Sequence, residues 1–447
     1  MPANHHFVIC GPARAAGVLL VMFFTFAAGT ALAAGTILIS EFRLRGPNGA
    51  NDEFIEIYNN SGAGHTVASM GTGYAIAASD GIVRCTIPNG TFIPAGGHFL
   101  CTNSAGYSLS TYPAGSGTTA TGNATYATDI PDNAGIALFN NDFGGANFVL
   151  ANRFDAVGST SEANALYKEG GGYPALTPFS IDYSFVRDEC GKSGAVNQLG
   201  PCTISTPKDT DNNAVDFIFV DTNGTSAGAG QRLGAPGPQN LSSPVATGSS
   251  ISNALLDSCA APYAAPNVVR DFTSVPANNS TFGTLDLRFT FTNNTGGNLT
   301  RLRFRIVDID TFPAMSGFAD LRPLTSANVV VNVDRPPCGS GTSNITVRGT
   351  TLEQVPSQPN GGGFNTSMGV ASVTSATPIA NGATIDVRIL MGIQQTGNYR
   401  VGIIPEGLPL GGGLFMVQSN TDHAAPVLSG AKSRKAHGGA GSFDLPL

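Results

Sequence analysis

Tryptophan is absent from these 447 residues, charged side chains make up only 12% of them, and cysteine is sparse at seven. Beyond the N-terminus no apolar run approaches the roughly 20 residues that a membrane-spanning helix requires. A chain built from spanning helices is thereby excluded. The net charge of −7 leaves no concentrated lysine and arginine surface to track phosphates, which argues against a nucleic-acid partner. There is no Cys-x-x-Cys pair and no histidine at ligand spacing, so a structural zinc site is not expected. His65, His98, His423 and His437 are scattered, and no Ser-His-acid or Cys-His set stands out.

What is abundant is glycine, 57 residues of it, together with serine, threonine and asparagine. These are weak helix formers, and the mixture predicts short strands joined by loops. The length predicts two or three domains. Residues 1–33 read as an export signal: Arg14 precedes an apolar run from Ala15 to Ala28, and Ala31-Leu32-Ala33 places small residues for cleavage before Ala34. Cys10 leaves with that signal. The remaining Cys85, Cys101, Cys190, Cys202, Cys259 and Cys338 are even in number, as expected of disulfides in an exported chain, although six cysteines allow 15 connectivities. Proximity favours Cys85–Cys101, which would join neighbouring strands, then Cys190–Cys202, leaving Cys259–Cys338 to staple the second domain.

The chain is organised around Ile37–Asn60, ILISEFRLRGPNGANDEFIEIYNN. Two apolar runs flank a loop of Gly46, Pro47, Asn48, Gly49, Asn51 and Asp52, and Phe54–Tyr58 alternates with the period of a strand. Strands are also expected at Ile82–Ile87, Phe92–Thr102, in the segment after Ile130-Pro131-Asp132, at Tyr183–Arg187, and as a hairpin of Phe148–Leu150 with Arg153–Val157. The Ser/Thr/Gly-rich stretch 103–128 is long for a loop and is expected to lie over one end of the domain as its contact surface.

The opening ISEF, its Gly-rich loop and DEFIEIYN resemble the start of a lamin tail domain. Gly71-Thr72-Gly73-Tyr74-Ala75-Ile76 and Thr91-Phe92-Ile93-Pro94-Ala95-Gly96-Gly97-His98-Phe99-Leu100 resemble that family's next segments. Asp155-Ala156-Val157-Gly158 is similar to exported bacterial members. The sequence of a strand ending in Arg187, then Asp209–Phe217, then Gly234-Ala235-Pro236-Gly237-Pro238-Gln239-Asn240 resembles their closing half. The resemblance implies an immunoglobulin-like β-sandwich over residues 34–240 that serves as an interaction module.

Residues 241–258 read as a linker. Residues 259–409 read as a second immunoglobulin-like sandwich. Leu285–Phe291 and Leu299–Ile306 alternate strictly and are expected to form a hairpin, with Leu302, Phe304 and Ile306 facing the core and Arg301, Arg303 and Arg305 facing solvent. Val329–Val333, Ile345–Val347, Ile385–Leu390 and Tyr399–Ile404 supply further strands. Residues 410–447 read as a disordered tail.

Asp209, Asp211, Asn213 and Asp216 place hard oxygen ligands at near-alternate positions and form a calcium candidate, set against the alternative of a self-capped turn. Glu41, Asp52, Glu53 and Glu56 form a second acidic group; paired carboxylates in a cleft could do acid–base work, whereas the lamin-tail resemblance implies that they belong to the fold's opening hairpin. Gly224-Thr225-Ser226-Ala227-Gly228 fits G-x-S-x-G but lacks a following helix. Gly191-Lys192-Ser193 lacks the first glycine of a phosphate loop. Asn123 and Asn344 are chance-level glycosylation signals. The expected function is that of an exported, non-catalytic surface or envelope protein binding protein or envelope polysaccharide. A hydrolase using Asp308 and Asp310 is the rival.

Overall fold

The computed structural model of the protein describes residues 36–115, 117–176, 181–189, 207–224, 233–246, 250–311, 316–355, 361–410 and the backbone of 441–445. Strands dominate, and the α-helix among the described residues is the single turn Asn213–Asp216.

Six strands form the first sheet in the order Phe217–Asp221, Tyr183–Arg187, Ile37–Arg43, Phe54–Asn59, His98–Asn103, Ala124–Tyr126. The opening pair is antiparallel with Glu41 opposite Glu56, as the alternation of DEFIEIYN anticipates. Arg153–Val157, Ile136–Phe139, Gly73–Ala78 and Val83–Pro88 form a four-stranded partner sheet. Cys85 and Cys101 form a disulfide whose Cα atoms lie 6.3 Å apart. It joins Val83–Pro88 of one sheet to His98–Asn103 of the other, so it staples across the sandwich rather than along a hairpin.

Two local expectations change. The 92–102 segment breaks at Pro94, where Gly97 N–H donates to the Pro94 carbonyl and Gly96 adopts φ +67°. The Asn59 amide locks this turn by donating to the carbonyls of Ala63, Ile93 and Pro94. Arg153–Val157 pairs with Ile136–Phe139, while Gly145–Asn147 and Leu150–Asn152 are 3-10 turns, so the expected 148–157 hairpin is absent. Phe148 stacks instead on Phe139, 4.3 Å between ring centroids.

The C-terminal strands also form two sheets. One runs Val245–Ala246, Tyr399–Pro409, Leu299–Ile309, Ser367–Gly369, Thr351–Glu353, and the other Ile251–Leu255, Thr284–Asn293, Thr384–Gln395, Asp320–Leu324. Thr284–Asn293 and Leu299–Ile309 therefore sit in opposite sheets and are not a hairpin. Their apolar faces meet across the core, with Phe291 and Phe304 rings 4.6 Å apart. Burying both apolar stripes in one interior satisfies the period-two pattern better than a half-wet hairpin would. Cys259 and Cys338 are joined by a disulfide, tying the segments that follow Ile251–Leu255 and Val329–Asp334. Cys190 and Cys202 lie outside the described residues.

The expected linker is not a free tether. Val245–Ala246 and Ile251–Leu255 are strands of the two C-terminal sheets. The described residues form one compact unit. Ile218 and Val220, from the edge strand of the N-terminal sheet, belong to the same apolar cluster as Leu302, Phe304 and Ile306. Of the tail, Gly441–Leu445 pairs antiparallel with Tyr399–Pro409, and residues 411–440 lie outside the described set.

Candidate functional site

The calcium candidate comes apart when its residues are placed. Asn213 is buried, and its side chain is spent on the fold: Oδ1 accepts from the backbone N–H of Gly158 and Glu169, and the amide donates to the Ala156 carbonyl. Asp216 is buried and accepts from Thr210 N–H, the Thr210 hydroxyl and Asn212 N–H. Asp211 is exposed, at φ +54°. The Asp-x-Asp-x-Asn-x-x-Asp run is thus mostly a self-capped turn.

Only Asp209 turns towards other acids. Oxygens of Asp155, Glu169 and Asp209 all lie within 4.8 Å of one another. Arg187 commands one side of this group. Both Asp155 oxygens accept from Arg187 at 2.8 and 2.7 Å, and Arg187 also donates to the carbonyls of Ile39 and Lys208 at 2.7 Å each. Arg153 holds one oxygen of Glu169 at 2.9 Å. Burial, with Asp155 adding repulsion, pushes the Glu169 carboxyl up to about 9, and the same causes push Asp209 to about 6. Asp155 and Glu169 carry no local ligand spacing in the sequence. Strand pairing and the turn at Ala165–Tyr167 bring them to Asp209.

A second concentration of charge lies on the six-stranded sheet, where the C-terminal strands cover it. The Gly234–Asn240 segment runs through this seam. Gly237 N–H donates to Glu41, Gln239 N–H donates to Glu56, and the Asn240 amide donates to the carbonyls of Thr119 and Thr121. A Cβ on Gly234 would stand 2.5 Å from the Phe364 carbonyl oxygen, so the closing motif requires glycine where the chain passes residues 364–365. Glu41 also accepts from the Asn365 amide.

Arg303 and Arg305 are buried here, at 2% and 7% exposure, contrary to the expected solvent face. The alternation correctly groups them on one face, but another layer covers that face. Arg303 donates to Glu406, to Gln239 and, at 2.9 Å, to the Ala114 carbonyl. Arg305 donates to Glu406 at 2.7 Å and to Glu189 at 2.8 Å. Burial opposes the charge on Glu406, but Arg303 and Arg305 outweigh it and hold that carboxyl below its ordinary value. The 103–128 stretch, expected as a contact surface, is divided: its apolar residues pack into this seam, while Ser104, Thr111, Thr119 and Thr125 are among those that stay exposed. Leu109, Tyr112, Ala114 and Ala120 pack on Phe54 and Leu100 together with Val355.

Asp52, Glu53, Glu56, Asp308 and Asp310 all have partners within the fold. Asp52 pairs with fully buried Arg43 and accepts from Ser108 and Asn48 N–H, fixing the opening loop. Glu53 accepts from the Asn103 amide and Ile130 N–H, and burial pushes it up to about 8. Ser40 and His98 both bond the same Glu56 oxygen, at 2.6 and 2.9 Å, His98 through its Nδ1. Asp308 and Asp310 are buried and both pair with Arg400, at 2.9 and 3.4 Å. Residues 191–193 and 225–228 of the motif look-alikes, and His423 and His437, lie outside the described residues.

Glu41 makes the seam sensitive to pH. Burial, then repulsion from Glu56, pushes its carboxyl from 4.5 up to about 8. Between those values the folded chain keeps a proton that the unfolded chain releases. Glu41 therefore contributes stability that is complete below 4.5 and is lost as pH rises through about 8. In Glu41→Gln the urea midpoint is expected to fall less between about pH 5 and pH 8 than in the wild type. Parallel curves would contradict this account of Glu41.

Strands packed as sheets in pairs define a β-sandwich chain of immunoglobulin-like type. The family model described as Lamin Tail Domain matches residues 30–156, the span that holds the opening hairpin and most of the four-stranded sheet. That bears out the resemblance read from Ile37–Asn60, and the closing half at 183–240 lies beyond the matched span. Comparisons with curated proteins and with solved structures return no match.

Proposed function

We propose that this chain is an exported, non-catalytic module of the cell surface or envelope that binds protein or polysaccharide from a rigid double-sandwich scaffold. The observation that carries the reading is the seam. Glu41, Glu56, Glu189, Arg303, Arg305 and Glu406 are buried and spend their hydrogen bonds between layers of the fold, a use of charge suited to holding a shape. The disulfides Cys85–Cys101 and Cys259–Cys338 support an oxidising compartment, and the 1–33 signal reading agrees with it.

Because the apolar side chains of 103–128 face the seam, the proposed contact surface centres on the loops beside the four-stranded sheet, where large apolar side chains are exposed. Met70 is 91% exposed and Phe143 52% exposed. The two loops are tied together by Thr72 N–H donating to Asp142 at 2.9 Å. Residues 34–447 are expected to co-sediment saturably with envelopes of the source organism. The double substitution Met70→Ser, Phe143→Ser should weaken that binding at least fivefold while leaving the fold intact, because both side chains are exposed. Absence of saturable binding by the wild-type chain would overturn envelope attachment.

A further inference from the structure

The geometry points to a calcium site formed by Asp155, Glu169 and Asp209, a set that differs from the Asp209–Asp216 turn. These residues come from three separate segments: the strand Arg153–Val157, the residues after the turn Ala165–Tyr167, and the loop before Asn213–Asp216. Their carboxylate oxygens converge to within 4.8 Å. Convergence of acids alone means little, since arginine can neutralise them, and Arg187 and Arg153 do so in part.

The independent observation is Glu169. Its side chain is 4% exposed, and its Oε2 atom is buried without a hydrogen-bond partner. A buried carboxylate oxygen with no donor is costly unless a proton or a cation meets it. Neither guanidinium meets it. Arg153 bonds the other oxygen of the same carboxyl, and Arg187 directs its nitrogens to Asp155, Ile39, Lys208 and Asp209.

The ligand chemistry selects the ion. Three carboxylates supply hard oxygens and no nitrogen or sulfur, which suits calcium or magnesium and not zinc or copper. Calcium accepts an irregular set of carboxylates completed by carbonyls and water, whereas magnesium demands a near-ideal octahedron and gives up water reluctantly. The donors here are set by strand and loop positions rather than by an octahedral cage, and Asp209 keeps 12% of its side chain exposed, so the group is not wholly sealed from solvent. The ion would tie the Asp209 loop to the four-stranded sheet.

The test uses the full chain and the metal alone. Calorimetric titration and thermal melts of residues 34–447 with calcium chloride should show saturable binding and a rise in melting temperature, with a smaller response to magnesium. Glu169→Gln and Asp209→Asn should each weaken calcium binding at least tenfold, while Asp211→Asn, on the exposed turn, should leave it unchanged. Circular dichroism establishes that each variant is folded, and Asp209→Asn serves if Glu169→Gln is not. No binding up to about 10 mM calcium, beyond the range of extracellular calcium modules, would overturn the site. So would a folded Glu169→Gln or Asp209→Asn protein that binds like the wild type, or loss of binding in Asp211→Asn.

Discussion

Glu406→Ala should lower the stability of the protein by about 3–5 kcal/mol, the usual cost of removing one partner from a buried ion pair. Glu406 is 1% exposed and joins two arginines. Its loss leaves Arg303 with only the neutral acceptors Gln239 and Ala114, and Arg305 with Glu189 alone. Replacement by Gln should recover part of the loss, because an amide oxygen still accepts from one guanidinium but carries no charge. Urea unfolding followed by fluorescence or circular dichroism gives the value. A change below about 1 kcal/mol would place Glu406 in the class of solvated surface pairs.

Arg187→Ala should cost a similar amount, about 3–5 kcal/mol, for a different reason. Arg187 holds three elements at once: Ile39 on the opening strand, Asp155 on the opposite sheet, and Lys208 in the acidic loop. Its guanidinium also lies over the Phe217 ring, 4.7 Å from the centroid. Truncation leaves Asp155 buried beside Glu169 and Asp209 without its counter-charge. Arg187→Lys should rescue little, since a compact ammonium cannot fan out to all these acceptors or stack on the ring. The check is the denaturant midpoint of the two variants. A lysine variant as stable as the wild type would show that charge alone, and not the fork, does the work.

Much of the framework was legible because short-range pattern governs it. The alternation in Phe54–Tyr58, Leu285–Phe291 and Leu299–Ile306 correctly named strands and grouped side chains by face, since a strand's period is two. Proximity led to Cys85–Cys101, and Cys259–Cys338 was the pair left over once neighbours were matched. What pattern cannot give is the identity of the covering layer. Arg303 and Arg305 were grouped correctly and still read as solvated, because burial of an arginine depends on Glu406 and Glu189, residues 103 and 116 positions away. The same limit explains the hairpin that proved to be a crossing between sheets, since a turn such as Asn293–Asn298 serves either connection.

The acidic site shows the limit from the other direction. Asp209, Asp211, Asn213 and Asp216 were visible as a local run, yet Asn213 and Asp216 are occupied by backbone donors. Glu169 and Asp155 reach Asp209 only through tertiary pairing, and no spacing rule links them. The Gly234–Asn240 motif was recognised as a closing segment. Its role as a strap between Glu41, Glu56 and residues 364–365 required the structure, because its partners are backbone and side-chain atoms far along the chain.

The central claim is that the seam joins both sheet pairs into one scaffold. Differential scanning calorimetry of residues 34–447 tests it most directly. The account predicts one transition whose van't Hoff and calorimetric enthalpies agree. Two resolved transitions in the wild-type protein would contradict it, since each sheet pair would then melt without regard to the other.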